Sequence, residues 1–272
     1  MTSFDNAYSD SVSHILHQQP ELNQRTNHAV RAIAGLDIRT DLELDGFPLL
    51  SLRKMPWSFI PEIMWMLSGV KDLHWLSQHT KIWDSFAEAD GAVSAAYGAR
   101  WRSRFGLDQL GTVMEKLSAD PSSRHGVVMM WDPATDLTIP QKNVPCPVMF
   151  TLNVIQGKLN LHLVLRSNDM ALGHPTDVAG FALLNHILAQ KLSLNPGVFT
   201  VSISNAHVYE NQVEHMEELV LRTSQTEKVS LKLPADTYDR ACGLDPSLIQ
   251  EIKKGFLGYL PGEAMKGIPI AQ

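Results

Sequence analysis

Phe150-Thr151-Leu152-Asn153-Val154-Ile155-Gln156-Gly157-Lys158-Leu159-Asn160-Leu161-His162-Leu163-Val164-Leu165 alternates apolar and polar residues on both sides of a two-residue turn that contains glycine. Period-2 alternation flanking such a turn predicts a β-hairpin with one buried face. The open end of that hairpin carries reactive groups. Val144-Pro145-Cys146-Pro147 leads into the first strand, and Arg166-Ser167-Asn168-Asp169 leaves the second. Antiparallel strands bring these two segments to the same end of a sheet. A guanidinium favours the thiolate, the reactive form of cysteine, so a nucleophile and an anion site are expected to share one cleft. Cys146 by itself reads equally as a small buried hydrophobe, the usual role of a free cysteine.

Outward from the hairpin, residues 6–18 show helical spacing (Tyr8, Val12, Ile15, Leu16) that Pro20 ends. Leu42-Glu43-Leu44 before Asp45-Gly46, and Pro48-Leu49-Leu50-Ser51-Leu52 after it, predict paired strand segments. Ser58 to Leu67 predicts an apolar helix interrupted by one acid, Glu62, and residues 107–118 predict an amphipathic one. Gly126–Trp131 and Val198–Ser204 read as strands, the first of them buried. Val178 to Leu192 reads as an apolar helix opened by Thr176 or Asp177 as N-cap. The expected class is α+β, a mixed sheet packed on helices, with residues 1–272 as a single domain because no repeat, low-complexity tract or linker divides them.

Composition narrows the function classes. A net charge of −6 gives no basic surface for nucleic acid, while leaving room for local arginines to hold one small anion. Two cysteines almost a hundred residues apart form neither a disulfide framework nor a metal-ligand spacing, so no metal is expected. Met1-Thr2-Ser3-Phe4-Asp5 lacks a secretory pattern and no apolar run could span a bilayer, so a cytoplasmic protein with no membrane partner is expected.

Read in order, Leu44-Asp45-Gly46-Phe47-Pro48-Leu49-Leu50, Pro61-Glu62-Ile63-Met64-Trp65, Ile82-Trp83-Asp84, Ala96-Tyr97-Gly98, Trp101-Arg102, Pro121-Ser122-Ser123-Arg124, Arg166-Ser167-Asn168-Asp169, Gly173-His174-Pro175-Thr176-Asp177 and Ala206-His207-Val208-Tyr209 resemble the thymidylate synthase family and its hydroxymethylase relatives. The resemblance runs from about residue 21 to the C-terminus. It implies the family's mixed sheet packed on helices, a homodimer formed through that sheet, a pyrimidine nucleoside monophosphate as substrate and 5,10-methylenetetrahydrofolate as co-substrate. Cys146 would be the nucleophile that adds to C6 of the pyrimidine and makes C5 reactive. Glu62 would manage protons and water around the ring; its apolar helix neighbours already predict a buried carboxyl with a raised pKa. Tyr97 would assist proton removal from C5. Arg166 and Ser167 would grip the phosphate, with Asn168 beside the base. Arg124 would act across the dimer interface, followed by His125 where most members carry a second arginine. Arg25 resembles the mobile-loop arginine, with Arg31 as a competitor because Asn27-His28-Ala29-Val30-Arg31 replaces the usual glycine-rich run. His207 and Tyr209 would hold the sugar hydroxyl from one face of a strand. Trp83, Asp169 and Gly173 would line the folate site, and the tail Ile268-Pro269-Ile270-Ala271-Gln272 would close over it.

Asp177 occupies the place of the family's uracil-reading asparagine. Uracil offers an N3–H donor and an O4 acceptor, whereas cytosine offers an N3 acceptor and an amino donor. A carboxyl accepts from the amino group and, when protonated, donates to N3. Pro147 in place of a histidine, Phe86 in place of a second tryptophan, and Asn168 in place of a cysteine point the same way. The resemblance therefore implies 5-hydroxymethylation of a cytidine monophosphate, dCMP or CMP. The alternatives are a thymidylate synthase or uridylate 5-hydroxymethylase acting on dUMP, and a non-catalytic nucleotide- or RNA-binding relative.

Overall fold

The computed structural model describes residues 2–24, 27–138, 143–223, 225 and 227–270. Helix α1 (Ser3–Leu16) starts at Thr2, whose hydroxyl accepts from the Asp5 N–H. Strands β1 (Glu21–Asn23) and β2 (His28–Asp41) follow, then α2 (Phe59–Ser68), α3 (Tyr97–Arg102), α4 (Gln109–Ala119), β3 (Gly126–Met129) and the short α5 (Pro133–Asp136). The hairpin β4 (Pro147–Ile155) and β5 (Lys158–Leu165) leads through β6 (Asn168–Asp169) into α6 (Gly173–Lys191) and the long β7 (Asn195–Tyr209). Helix α7 (Val213–Val220), β8 (Ser230–Leu231), α8 (Thr237–Cys242), α9 (Ser247–Gly255) and β9 (Phe256–Leu257) complete the order.

The main sheet runs β1-β2-β7-β5-β4-β3, with β6 also on β7. The β5–β7 and β6–β7 pairs are parallel and the others antiparallel, so the sheet is mixed and the fold α+β. The hairpin forms with Ile155 opposite Lys158. Gln156 and Gly157 both have positive φ, at 53° and 74°, as a two-residue turn with matching twist requires. Alternation buries Leu159, Leu161, Leu163 and Leu165 on one face. Against this face lies α6, buried nearly all round, which is why its sequence reads as continuously apolar.

Three sequence expectations are corrected. Leu42–Leu44 is a turn at the end of the 14-residue β2, and residues 48–52 are not a strand. Pro48 brings no N–H to a ladder, while the Leu49 N–H bonds to Phe47 O and the Ser51 N–H to the buried Asp5 carboxylate. Leu49, Leu50 and Leu52 are apolar because they are core, without being strand. The segment at 126 is an edge strand with alternating burial and an exposed Val127, not a buried one. Neither Thr176 nor Asp177 caps α6, because the helix begins one turn earlier, at Gly173. The preceding Asp169 accepts from the Ala171 and Leu172 N–H groups, and this leaves Asp177 inside the helix.

Candidate active site

The hairpin's open end brings Cys146 and Arg166 together. The Arg166 N–H bonds to Cys146 O at 2.9 Å. Its side chain folds back over the nucleophile's loop: Nε donates to Pro145 O at 2.8 Å, Nη2 to Val144 O at 3.0 Å, and Nη2 lies 4.0 Å from Cys146 Sγ. Trp131 supports the guanidinium from one side, 5.7 Å from its ring centre. A fixed positive charge thus faces a partly exposed thiol.

Helices α2 and α3 bring acids to the same cleft. Glu62, in the first turn of α2, accepts at Oε1 from Trp83 Nε1 at 2.6 Å. Some of its surface stays open, yet desolvation dominates and raises its pKa to about 8, against the Trp83 hydrogen bond and helped by the negative charge of Asp177. Tyr97, first residue of α3, makes a hydrogen bond to the Cys146 backbone and sets its ring edge-on to Trp83 at 5.2 Å. Its hydroxyl is pushed well above the usual range, first by burial and then by Cys146, Asp177 and Glu62. Asp177, one turn into α6, is raised to about 7 by desolvation, opposed by the Asn168 amide, which donates to Oδ2 at 2.8 Å. Nucleophile, two carboxyls and a phenol therefore surround one space.

At the adjoining edge, β7 presents His207 and Tyr209 on one face, their rings 5.0 Å apart and perpendicular. Ser167 Oγ lies 3.5 Å from His207 Nδ1. Asp169 shares its carboxylate between the turn before α6 and the buried Gln212, whose Nε2 donates to Oδ2 at 3.1 Å and to Pro269 O at 3.0 Å. Gln212 thereby joins the carboxylate to the C-terminal tail. Gly173 opens α6 beside Asn168 and Asp177.

Other expected residues fall elsewhere. Trp83, expected to line the folate site, is 6% exposed and packs on Trp65, Phe86 and Tyr97 while its N–H holds Glu62. Arg31 is held by Glu210 at 2.6 Å and by Leu16 O. Arg25 and Ala271 lie outside the described residues. Arg124 and His125 are exposed before β3, whose Gly126 pairs with Leu152 and Met129 with Met149. That register sets Arg124 at the opposite end of the sheet from Cys146, about 25 Å away at about 3.3 Å per residue, beyond the reach of one side chain.

His174 and Gln212, both fully buried, were not singled out by sequence reading. His174 carried no spacing signal. Gln212 follows Tyr209 by three residues and forms a reciprocal turn with it, which composition does not announce. A separate cavity of about 920 Å³, lined by Lys71, Asp72, Glu88, Arg100 and Arg104 among others, contains none of these groups. Among the described residues no cluster of His, Cys, Asp and Glu is arranged to hold a metal, and no helix is long and apolar enough to cross a membrane.

A sequence model described as thymidylate synthase matches residues 6–254. With the mixed sheet and the cleft it carries, the match over most of its length means that this chain belongs to the thymidylate synthase family.

Proposed function

We propose that the protein is a cytidylate 5-hydroxymethylase. Its family transfers a one-carbon unit from methylenetetrahydrofolate to C5 of a pyrimidine nucleotide. One observation carries the finer reading: Asp177, which the resemblance matches to the base-reading asparagine, is a carboxyl whose burial raises its pKa to about 7, so its protonated form is accessible near neutral pH. Such a group offers both an acceptor for an exocyclic amino group and a hydroxyl for an unprotonated ring nitrogen, the pattern of cytosine. Against uracil the ionised form would set an acceptor against O4, and the proton placement that serves cytosine would set a donor against N3–H, an error of about 1–3 kcal/mol.

The chain's residues divide the work. The Cys146 thiolate adds to C6, and the electron pair of the C5–C6 bond shifts into the ring and makes C5 a nucleophile. Methylenetetrahydrofolate would supply one carbon at the oxidation level of formaldehyde, to which C5 bonds; once the C5 proton is lost, tetrahydrofolate would leave with the electron pair of the C–N bond. Tyr97, whose hydroxyl stays protonated, orients by hydrogen bonding the water that receives the proton lost from C5. Glu62, held by Trp83, orients the water that adds to the exocyclic carbon now attached to C5, and expulsion of the Cys146 thiolate from C6 restores the C5–C6 double bond. The folate fits the residues present: the partly open Asp169 carboxylate suits the amino and N–H edge of a pterin, and Gln212 links it to the tail. Arg166, Ser167, His207 and Tyr209 bind phosphate and sugar in this reading.

A homodimer accompanies it. Arg124 lies too far from its own Cys146 to meet the same nucleotide, so it serves a second copy across the outward sheet face. On that face Ser202 hydrogen-bonds Asp37 and His162. The deciding experiment is mass spectrometry of products from dCMP, CMP and dUMP with methylenetetrahydrofolate. The reading expects a cytidylate that has gained CH2O with no dihydrofolate formed. Gain of CH2 on dUMP with dihydrofolate would identify a thymidylate synthase instead.

A further inference from the structure

His174 is completely buried on α6, and its Nδ1 lies 2.7 Å from Asn168 Oδ1. A carboxamide oxygen only accepts, so the imidazole proton resides on Nδ1. Its Nε2 has no hydrogen-bond partner, which suits an unprotonated lone pair better than an orphaned N–H. Tyr8 stacks on the imidazole at 5.9 Å and 12°, Phe4 packs at 6.3 Å and 26°, and the Tyr8 hydroxyl is itself anchored on Met170 O. The ring has no freedom to turn. With its oxygen occupied by His174, the buried Asn168 amide must present its NH2 to Asp177 Oδ2.

We infer that His174 is a positioning residue for base selection: it fixes the Asn168 amide, and the amide decides which oxygen of Asp177 carries a proton toward the base. Oδ2 faces an N–H, so a proton on the carboxyl belongs on Oδ1, where it can be donated to a cytosine-type N3. The remaining lone pair of Oδ2 accepts the exocyclic amino group. An amide released from His174 could flip and offer Asp177 its oxygen. The proton would then move to Oδ2, and Oδ1 would become an acceptor suited to the N3–H of uracil. The inference rests on the proposed role of Asp177. The charged and titratable groups around the relay are Asp169 before α6, Glu62 on α2 and Tyr97 on α3, which face Asp177, with Tyr8 of α1 against His174 and Arg53 near Tyr8 and Asp169.

The test compares His174→Phe, which keeps a stacked ring without the donor, with His174→Gln, whose amide can still donate to Asn168. Ratios of kcat/KM for dCMP over dUMP are measured from pH 5 to 9. The Phe variant should lose about fivefold in that ratio, the worth of one oriented hydrogen bond. Its cytidylate profile should also shift to higher pH, because a fixed amide donor is lost. The Gln variant should stay close to wild type in both. A folded Phe variant with wild-type ratio and profile overturns the inference while leaving the cytidylate reading intact; a wild type that prefers dUMP overturns both. Nitrogen-15 NMR of His174 in the wild-type protein reads the relay without any variant. Protonated Nδ1 is expected, and protonated Nε2 would overturn it.

Discussion

Asp177→Asn separates the base-reading role of this carboxyl from its structural one. In the wild-type protein the folded pKa of about 7 lies above the ordinary value of 3.8. The folded state therefore binds this proton more tightly than the unfolded state. The group's contribution to stability is most favourable below about pH 4, declines as pH rises, and is fully unfavourable above about pH 7. At about 1.4 kcal/mol per pH unit the penalty for ionised Asp177 is on the order of 2–4 kcal/mol, the lower figure allowing for its partial opening to the cleft. The substitution removes the penalty and keeps a partner for the Asn168 amide, since the new side-chain oxygen can accept. Thermal melts at pH 8 should rise by about 4–8 °C relative to wild type, with the difference vanishing near pH 4. In kinetics the same change should weaken cytidylate turnover and improve uridylate turnover, moving the dCMP/dUMP ratio of kcat/KM by about 5- to 150-fold. The product from dUMP should be chiefly the 5-hydroxymethyl compound, because Pro147, Phe86 and His125 remain and hydride transfer requires water to be excluded. An unchanged base ratio, or a wild type that already prefers dUMP, would refute the assignment of Asp177. A melting difference that grows toward acid would refute the electrostatic argument.

Three further outcomes follow from the geometry. Cys146→Ser should abolish turnover while nucleotide binding, measured by calorimetry, stays within a few-fold, because the phosphate ligands are untouched. Mixing inactive Arg124→Ala chains with inactive Cys146→Ala chains should restore up to about a quarter of the wild-type activity if sites are shared between copies; no recovery in a verified mixed dimer would place Arg124 outside the site. Trp83→Phe removes the N–H that holds Glu62 and opposes its raised pKa. The ionisation assigned to Glu62 in the pH–rate profile should therefore move above about 8, with kcat falling about tenfold.

How far the sequence reveals this site depends on how local each arrangement is. The hairpin, the Cys146–Arg166 pairing at its end, and the buried acid on α2 were legible because alternation, a two-residue turn and an apolar helical stripe act within a few residues. The His207–Tyr209 pair was legible for the same reason. The leucines at 49, 50 and 52 misled because burial, not strand geometry, made them apolar, and the bonds that hold the segment come from distant Asp5 and from the tail at Gly262. The start of α6 misled because Asp169, rather than Thr176 or Asp177, satisfies the turn before it. Trp83 on Glu62, Gln212 between Asp169 and Pro269, and His174 on Asn168 join separate parts of the site through side-chain orientation, which residue type alone does not encode.

The electrostatics of the cleft explain why these three supports matter together. In the proposed reaction a nucleotide brings a phosphate and Cys146 acts as a thiolate, so additional ionised carboxylates would repel both substrate and nucleophile. Burial holds Glu62 at about 8 and Asp177 at about 7, and keeps the Tyr97 hydroxyl protonated, while Arg166 stays beside the sulfur as a fixed cation. Each acid then has a protonated form that can donate or exchange a proton near neutral pH, and each is oriented by one neutral donor: Trp83 for Glu62, Asn168 for Asp177, the Cys146 backbone for Tyr97. Replacing any of these donors by a cation would hold the acid in its place but lower its pKa and strip the proton. Neutral supports are thus the arrangement that keeps both the geometry and the protons, and the buried, uncharged His174 extends it by one more residue.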